Sequence, residues 1–217
     1  MKSKKTFSCL ILIISPFFFG CEPLPGQNKN NASASSISLH VGNEKYFIID
    51  TKESVVAWKG SSVEGVHTGY VDISKGELMI ENGRLVGGTV EVDMNTIEDN
   101  NHGRDNNLIK HLKSPDFFDV EKSPFSTIAL TRVASINDEN KKITGNLTIK
   151  DKTQPVIFPA KIEVQDGIVK ANGKLVIDRT KWDIRYKSGK FYDNLANNAI
   201  SDSIEFNIKI VAKKQIL

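Results

Sequence analysis

The chain holds only two cysteines, Cys9 and Cys21, and none after residue 21. No disulfide can form within the long remainder, and no thiolate nucleophile or cysteine metal ligand exists there. Surplus charge is also missing. The formal charge of +3 rests on Lys2, Lys4 and Lys5, and the rest of the chain carries 26 basic and 26 acidic residues. A balanced surface lacks the excess of clustered Lys and Arg that phosphate backbones require, which excludes nucleic acid as a partner. Catalytic signatures are absent as well: there is no GxSxG elbow, GxxxxGK[ST] loop, GxGxxG turn, HxxxH or HExxH. The sequence therefore offers no catalytic residue and no metal site. What is present is an ordinary globular balance, 39% hydrophobic and 25% charged, which excludes disorder.

The first segment is a targeting signal. Three lysines precede an apolar run, Cys9 to Ile14 and Phe17 to Phe19, which is interrupted by Ser15 and Pro16 and ends at Gly20-Cys21. The run falls short of the about 18 unbroken apolar residues of a spanning helix. The Gly-Cys pair resembles a bacterial lipobox, with Phe18 where that motif usually has Leu, and implies an acylated Cys21 as the mature N-terminus. Residues 1–20 are then a lipoprotein-type signal peptide and 21–43 a lipidated cysteine with a flexible tether. The tether is rich in Asn, Ser, Ala, Pro and Gly, and as a coil of about 22 residues it spans roughly 25 Å. The folded domain is 44–217, long enough to be held by its core alone. The expected location is the bacterial cell envelope, lipid-anchored, with the domain in the periplasm or at the cell surface.

From Lys45 onward the dominant period is two. Ile204, Phe206, Ile208 and Ile210 alternate with Glu205, Asn207 and Lys209, the mark of a strand with one buried and one wet face. Val90, Val92 and Met94 repeat the pattern, as do Ile143, Leu147 and Ile149. Further strands are expected over 46–50, 54–60, 67–73, 77–80, 126–135, 156–164 and 168–178, with turns at Ser74-Lys75-Gly76, Glu81-Asn82-Gly83 and Gln165-Asp166-Gly167. One short helix is predicted over 106–113, where Leu108, Ile109 and Leu112 share a side, ending at Ser114-Pro115 and capped by Asp105. It lies in a connection running from Thr96 to Val120, and connections of that length are usually functional. The fold class is all-β, an antiparallel sandwich or closed barrel.

Several segments carry a resemblance. They include Trp58-Lys59-Gly60 with His67-Thr68-Gly69, Gly87 to Met94, His111 to Val120, Pro124-Phe125-Ser126, Thr144 to Lys150, and Asp178 to Tyr186. In this order, over Tyr46 to Ala212, the chain resembles the YceI family of exported lipid-binding proteins. Ser123 and Asp183 depart from that pattern, in which an aromatic and a glycine are common at these places. The resemblance implies a lipocalin-like antiparallel β-barrel of about eight strands with one short helix in a long mid-sequence loop. Its apolar tunnel would bind a polyisoprenoid or similar long-chain amphiphile, of quinone or polyprenyl phosphate type, as an envelope carrier or storage protein. The isoprenoid lipid is then a ligand, with no cofactor, and the membrane is met through the N-terminal anchor. Oligomeric state stays open, a homodimer included.

The candidate ligand-binding residues fall in four groups. Trp58 and Trp182 are amphipathic rings suited to a tunnel wall or a barrel end. Leu112, Phe117 and Phe118 lie on and after the helix, and adjacent Phe117 and Phe118 are expected to point different ways. Phe125 and Phe158 supply further aromatic lining. His67, Arg179 and Tyr186 are the polar candidates. An Arg179 guanidinium would bind a diphosphate or quinone oxygen at the mouth by paired hydrogen bonds; the simpler reading is an Arg–Asp pair knitting a strand end. His102, Asp105 and His111 share one loop but lack metal-ligand spacing. Two other readings stand beside the carrier. One is a structural or adhesive module whose barrel is filled by its own side chains. The other is an enzyme acting on a lipid, which would need His67, Asp178 and Tyr186 to converge.

Overall fold

The computed structural model describes residues 45–63, 65–195 and 198–215. The signal peptide, Cys21 and the tether lie outside the described residues. Among these residues nine strands and one α-helix follow in order, with a 3-10 turn at Arg179–Trp182: β1 (Lys45–Ile49), β2 (Val55–Ser62), β3 (Gly65–Glu81), β4 (Arg84–Asp99), α1 (Asn107–Lys113), β5 (Phe125–Ser135), β6 (Asn140–Ile149), β7 (Lys152–Gln165), β8 (Ile168–Asp178) and β9 (Ser203–Lys214). Every pairing is antiparallel, and β2 to β9 close a ring through β2–β9. The expected eight-membered barrel is present.

The ninth strand is half of a broken one. β1 and β2 both pair antiparallel between β3 and β9, β1 with Glu77–Ile80 and Ala212–Lys214, β2 with Gly65–Val71 and Glu205–Lys209. They run in one direction, end to end, as a single stave interrupted at Asp50–Ser54. The interruption is stitched by Ser54, whose hydroxyl donates to the Val211 carbonyl at 3.2 Å and accepts the Val211 amide at 2.9 Å.

Two strands expected separately, 67–73 and 77–80, are one: β3 runs straight through Ser74-Lys75-Gly76. Gly76 is there for close approach and not for a turn, since a Cβ would lie 2.6 Å from both Ile49 Cδ1 and the Thr89 carbonyl. Register shifts at Tyr70/Asp72, Ile73/Lys75 and Met79/Ile80 bend the β3–β4 ribbon around the barrel. β4 likewise continues to Asp99 with Ile97 buried, so the long connection is Asn100–Pro124 and starts later than expected.

Chain direction sorts the connections onto two poles. Asn82-Gly83, Ile136–Glu139 and Asp166-Gly167 lie at one pole, with the start of β1 and the end of β9. The two dipeptides have positive φ at both residues, 48° and 73°, 51° and 75°, the geometry that matches strand twist in tight hairpins. Phe47, Ile80, Val169 and Ala212 fill this pole and are almost wholly buried. The other pole holds the β2–β3 hairpin, the helical connection, Lys150-Asp151 and the long connection Arg179–Asp202.

Candidate functional site

The inward faces do not meet across the barrel. They leave a cavity of about 330 Å³ that runs from the second pole toward the first, within the range of small-molecule sites. Its deep part is lined by Leu78, Leu85, Leu130, Ile143, Ile162 and Ile210. The alternating set Ile204, Phe206, Ile208 and Ile210 faces inward as its period predicted.

Polar atoms gather at the other end, from Trp58, Ser61, His67, His111, Ser126, Arg179, Lys187, Asn198 and Ser201. Trp58 pairs with Gly69 on β3 and Phe206 on β9. Gly69 is required there, because a Cβ would run into the Glu98 carbonyl and come within 2.7 Å of the indole. Three groups of this end are buried without a hydrogen-bond partner: Trp58 Nε1, His111 Nε2 and Ser126 Oγ. A buried polar atom in an apolar wall costs about 1–3 kcal/mol unless something pairs with it. The cavity is thus apolar in its depth and supplied with unspent donors and acceptors near its mouth.

The helix partly roofs this end. Asn106 caps it, its Oδ1 accepting the Ile109 amide at 3.0 Å, while the expected cap Asp105 is highly exposed and pairs with Lys110 at 2.9 Å. Leu108 and Leu112 face the cavity and Ile109 is buried beside them. Phe117 and Phe118 both line the cavity and both are buried, contrary to the expectation that they diverge. Alternation fails there because the segment is a turn: the Phe117 amide donates to Ser114 O and the Phe118 amide to Leu112 O.

Seven of the ten candidate residues line the cavity: Trp58, His67, Leu112, Phe117, Phe118, Phe158 and Arg179. Three do not. Phe125 is 46% exposed, because strand parity turns its neighbour Ser126 inward. Trp182 is 1% exposed and is spent elsewhere, its Nε1 donating to the Leu147 carbonyl at 3.1 Å. Tyr186 packs behind the lining, edge-on to His111 at 4.5 Å between centroids. Period and composition missed His111 and Ser126, though His111 lies one turn after Leu108 on the same helix face.

Arg179 reaches the cavity but its donors are committed. Its Nε donates to Ser201 O (2.9 Å), Nη1 to Ile184 O (2.7 Å) and Nη2 to Ile200 O (3.0 Å), and Asp202 lies 3.5 Å away. Burial draws its pKa down, against the pull of Asp202 and Asp178. It bolts the 179–202 connection together chiefly through these carbonyls, with Asp202 a longer contact beside them. Asp178 contributes to the same end: burial alone would raise it, but Lys190 at 2.6 Å and the Thr180 hydroxyl and amide hold it at about 2.

His67, Asp178 and Tyr186, the groups a lipid enzyme would need together, each meet a different partner. The acid nearest His67 is Asp99, at 4.0 Å, while Asp178 is held by Lys190 and Tyr186 by His111. Asp99 is buried, yet its carboxyl sits below the ordinary value because the Asn101 amide and the His102 side chain and amide outweigh desolvation. His102 pairs with Asp99, Asp105 with Lys110, and His111 packs against Phe117 and Tyr186. Among the described residues no group of three His, Cys, Asp or Glu is arranged to hold a metal ion.

Comparison with known proteins agrees with this architecture. The profile of the YceI-like domain matches residues 47–212. The chain belongs to the YceI family. Relatives include a UPF0312 protein of Pseudomonas aeruginosa and the protein YceI of Salmonella newport, each 40% identical over 73 residues, 34% of this chain. That stretch spans about a third of each relative's length, 36%. Among solved structures, BcnA of Burkholderia cenocepacia aligns with a TM-score of 0.64 at 18% identity, over 76% of this chain and 99% of that one. A polyisoprenoid-binding domain from Saccharophagus degradans aligns at 0.57 and 9%, over 79% and 99%. At these identities the two structures establish the YceI-like barrel fold.

Proposed function

We propose that the barrel binds a long-chain amphiphile with a polyisoprenoid tail, of quinone or polyprenyl phosphate type, and carries or stores it in the bacterial envelope. The observation that carries this reading is the polarity gradient of the cavity. A tail occupying the deep part gains roughly 0.8 kcal/mol per methylene removed from water. Trp58 Nε1, His111 Nε2 and Ser126 Oγ are placed to meet the polar head. The Saccharophagus domain's polyisoprenoid-binding description supports the same ligand class. A module filled by its own side chains predicts no such cavity. The reading needs no catalytic residue and no cofactor, and it places acylated Cys21 and the 21–43 tether as the link to the membrane.

Native mass spectrometry of the protein, followed by organic extraction, tests it. The expected result is one isoprenoid adduct per chain, released on denaturation. An empty protein that also fails to take up added polyprenols or quinones overturns the reading.

A further inference from the structure

The mouth of the cavity is edged by apolar side chains that meet solvent. Val63 lines the cavity and is 56% exposed, and Val66 across the hairpin is 57% exposed. This hairpin is tied to the last limb of the 179–202 connection, the Val63 amide donating to Ala199 O (3.4 Å) and the Ser201 amide to Ser61 O (2.9 Å). Lys187 and Asn198 from the same connection also line the cavity. Between these two in sequence come Phe191 and Tyr192, 47% and 48% exposed, with both amides bonded to Ser188 O. The connection that supplies Lys187 and Asn198 to the cavity wall thus carries one exposed apolar patch, and the hairpin tied to it carries another.

Charge follows the same geometry. Apart from the buried Arg179, the connection carries four bases, Lys181, Arg185, Lys187 and Lys190, against three acids, Asp183, Asp193 and Asp202, with Arg185 paired to Asp183 and Lys190 to Asp178 and Asp202. Arg185 sits over the Phe191 ring at 4.6 Å and Lys187 over Tyr186 at 5.6 Å. The helical connection is balanced, and the three turns of the opposite pole hold Asp138, Glu139 and Asp166 with no base. Exposure alone is not the distinction, because Ile136 at that opposite pole is 65% exposed. The distinction is apolar exposure on the two elements that line the cavity mouth through Val63 and Lys187.

We propose that this pole is a bilayer-docking face: Val63, Val66, Phe191 and Tyr192 enter the interface of an anionic membrane, so that the cavity opens directly into lipid. The proposal rests on the carrier reading. A tail leaving through water would forfeit its burial methylene by methylene. Contact between the edge and a bilayer removes that barrier, and aromatic and basic side chains favour the headgroup region.

The test uses the full chain with Cys9→Ser and Cys21→Ser, labelled with a polarity-sensitive fluorophore at Val66→Cys or Ile136→Cys. It is mixed with vesicles of phosphatidylcholine with or without phosphatidylglycerol. The expected result is a blue shift of the Val66→Cys label, larger with phosphatidylglycerol, with no shift at Ile136→Cys. Phe191→Ser with Tyr192→Ser, both at exposed positions, should weaken vesicle affinity about tenfold or more. Equal shifts at both positions, a shift at Ile136→Cys alone, or no shift at either would overturn the proposal. Isoprenoid uptake, measured on the same samples, separates the two ideas. Uptake without docking removes only the docking face, whereas docking without uptake removes the carrier reading and leaves the docking face supported.

Discussion

The two ends of this barrel are closed by different physics. At the pole where β1 begins, connections are short and the plug is apolar: Phe47, Ile80, Val169 and Ala212 are almost wholly buried. Strand pairing and packing suffice there. At the other pole the connections Asn100–Pro124 and Arg179–Asp202 are long, and they are held by side-chain hydrogen bonds, most of them to backbone carbonyls. Arg179 ties three carbonyls, Trp182 reaches Leu147 O, Lys150 Nζ reaches Pro115 O at 2.7 Å, and Ser123 Oγ bonds Asp151 at 2.8 Å. Directional bonds can fix a loop without filling the space under it, whereas apolar packing fixes a chain only by filling space. That difference is why one end can stay open while the whole barrel remains ordered.

Removing a bolt from the open pole is the sharpest way to break the comparison. Arg179→Met should cost about 3–5 kcal/mol of stability, read by thermal or urea unfolding, because it leaves three carbonyls of the connection without their donors and Asp202 with Lys190 alone. If Arg179 instead served mainly as a head-group ligand, folding would be unaffected and only lipid retention would fall. Filling the deep cavity is next. Ala171→Phe removes room for at least one isoprene unit, which should weaken long-tailed ligands by roughly 100-fold while leaving short amphiphiles unaffected in competition assays.

A pH effect of order 1–2 kcal/mol is expected from Asp178 at the open pole. Its carboxyl is held at about 2 in the folded protein, below the unfolded value. The stabilisation is therefore complete above about pH 4 and is lost as pH falls toward 2. Urea unfolding across that window should show the loss in the native protein and a flatter profile in Asp178→Asn. The smallest effect concerns the helix. Asn106→Ala should cost about 1 kcal/mol, while Asp105→Ala, at a highly exposed position, should stay within about 0.5 kcal/mol.

The closed pole was far more legible in sequence than the open one. Glu81-Asn82-Gly83 and Gln165-Asp166-Gly167 announce their turns, and period two places Ile204 to Ile210 on the inner wall. Both signals are local, and local chemistry decides them. The broken first stave was not legible, because the gap Asp50–Ser54 reads as any loop until β3 and β9 are seen to flank both halves. The Lys150-Asp151 turn was also hidden, since both residues adopt positive φ without a glycine. At the open pole the candidate residues divided according to partners distant in sequence. Phe125 lost its place to Ser126 by register with Val92, Trp182 to a carbonyl on β6, and Arg179 to three carbonyls brought in by chain folding. Aromatic or basic identity says that such a residue will be used, and only the fold says by what.

The central claim is that a polar head sits among Trp58, His111 and Ser126 while its tail occupies the deep cavity. Trp58 and Trp182 are the only tryptophans, so in a Trp182→Phe protein the fluorescence of Trp58 alone reports on the mouth. Titration with a long-chain isoprenoid quinone, a quencher, should extinguish that emission and saturate at one molecule per chain. Full occupancy by mass spectrometry with Trp58 emission unchanged would place the head elsewhere and contradict the account.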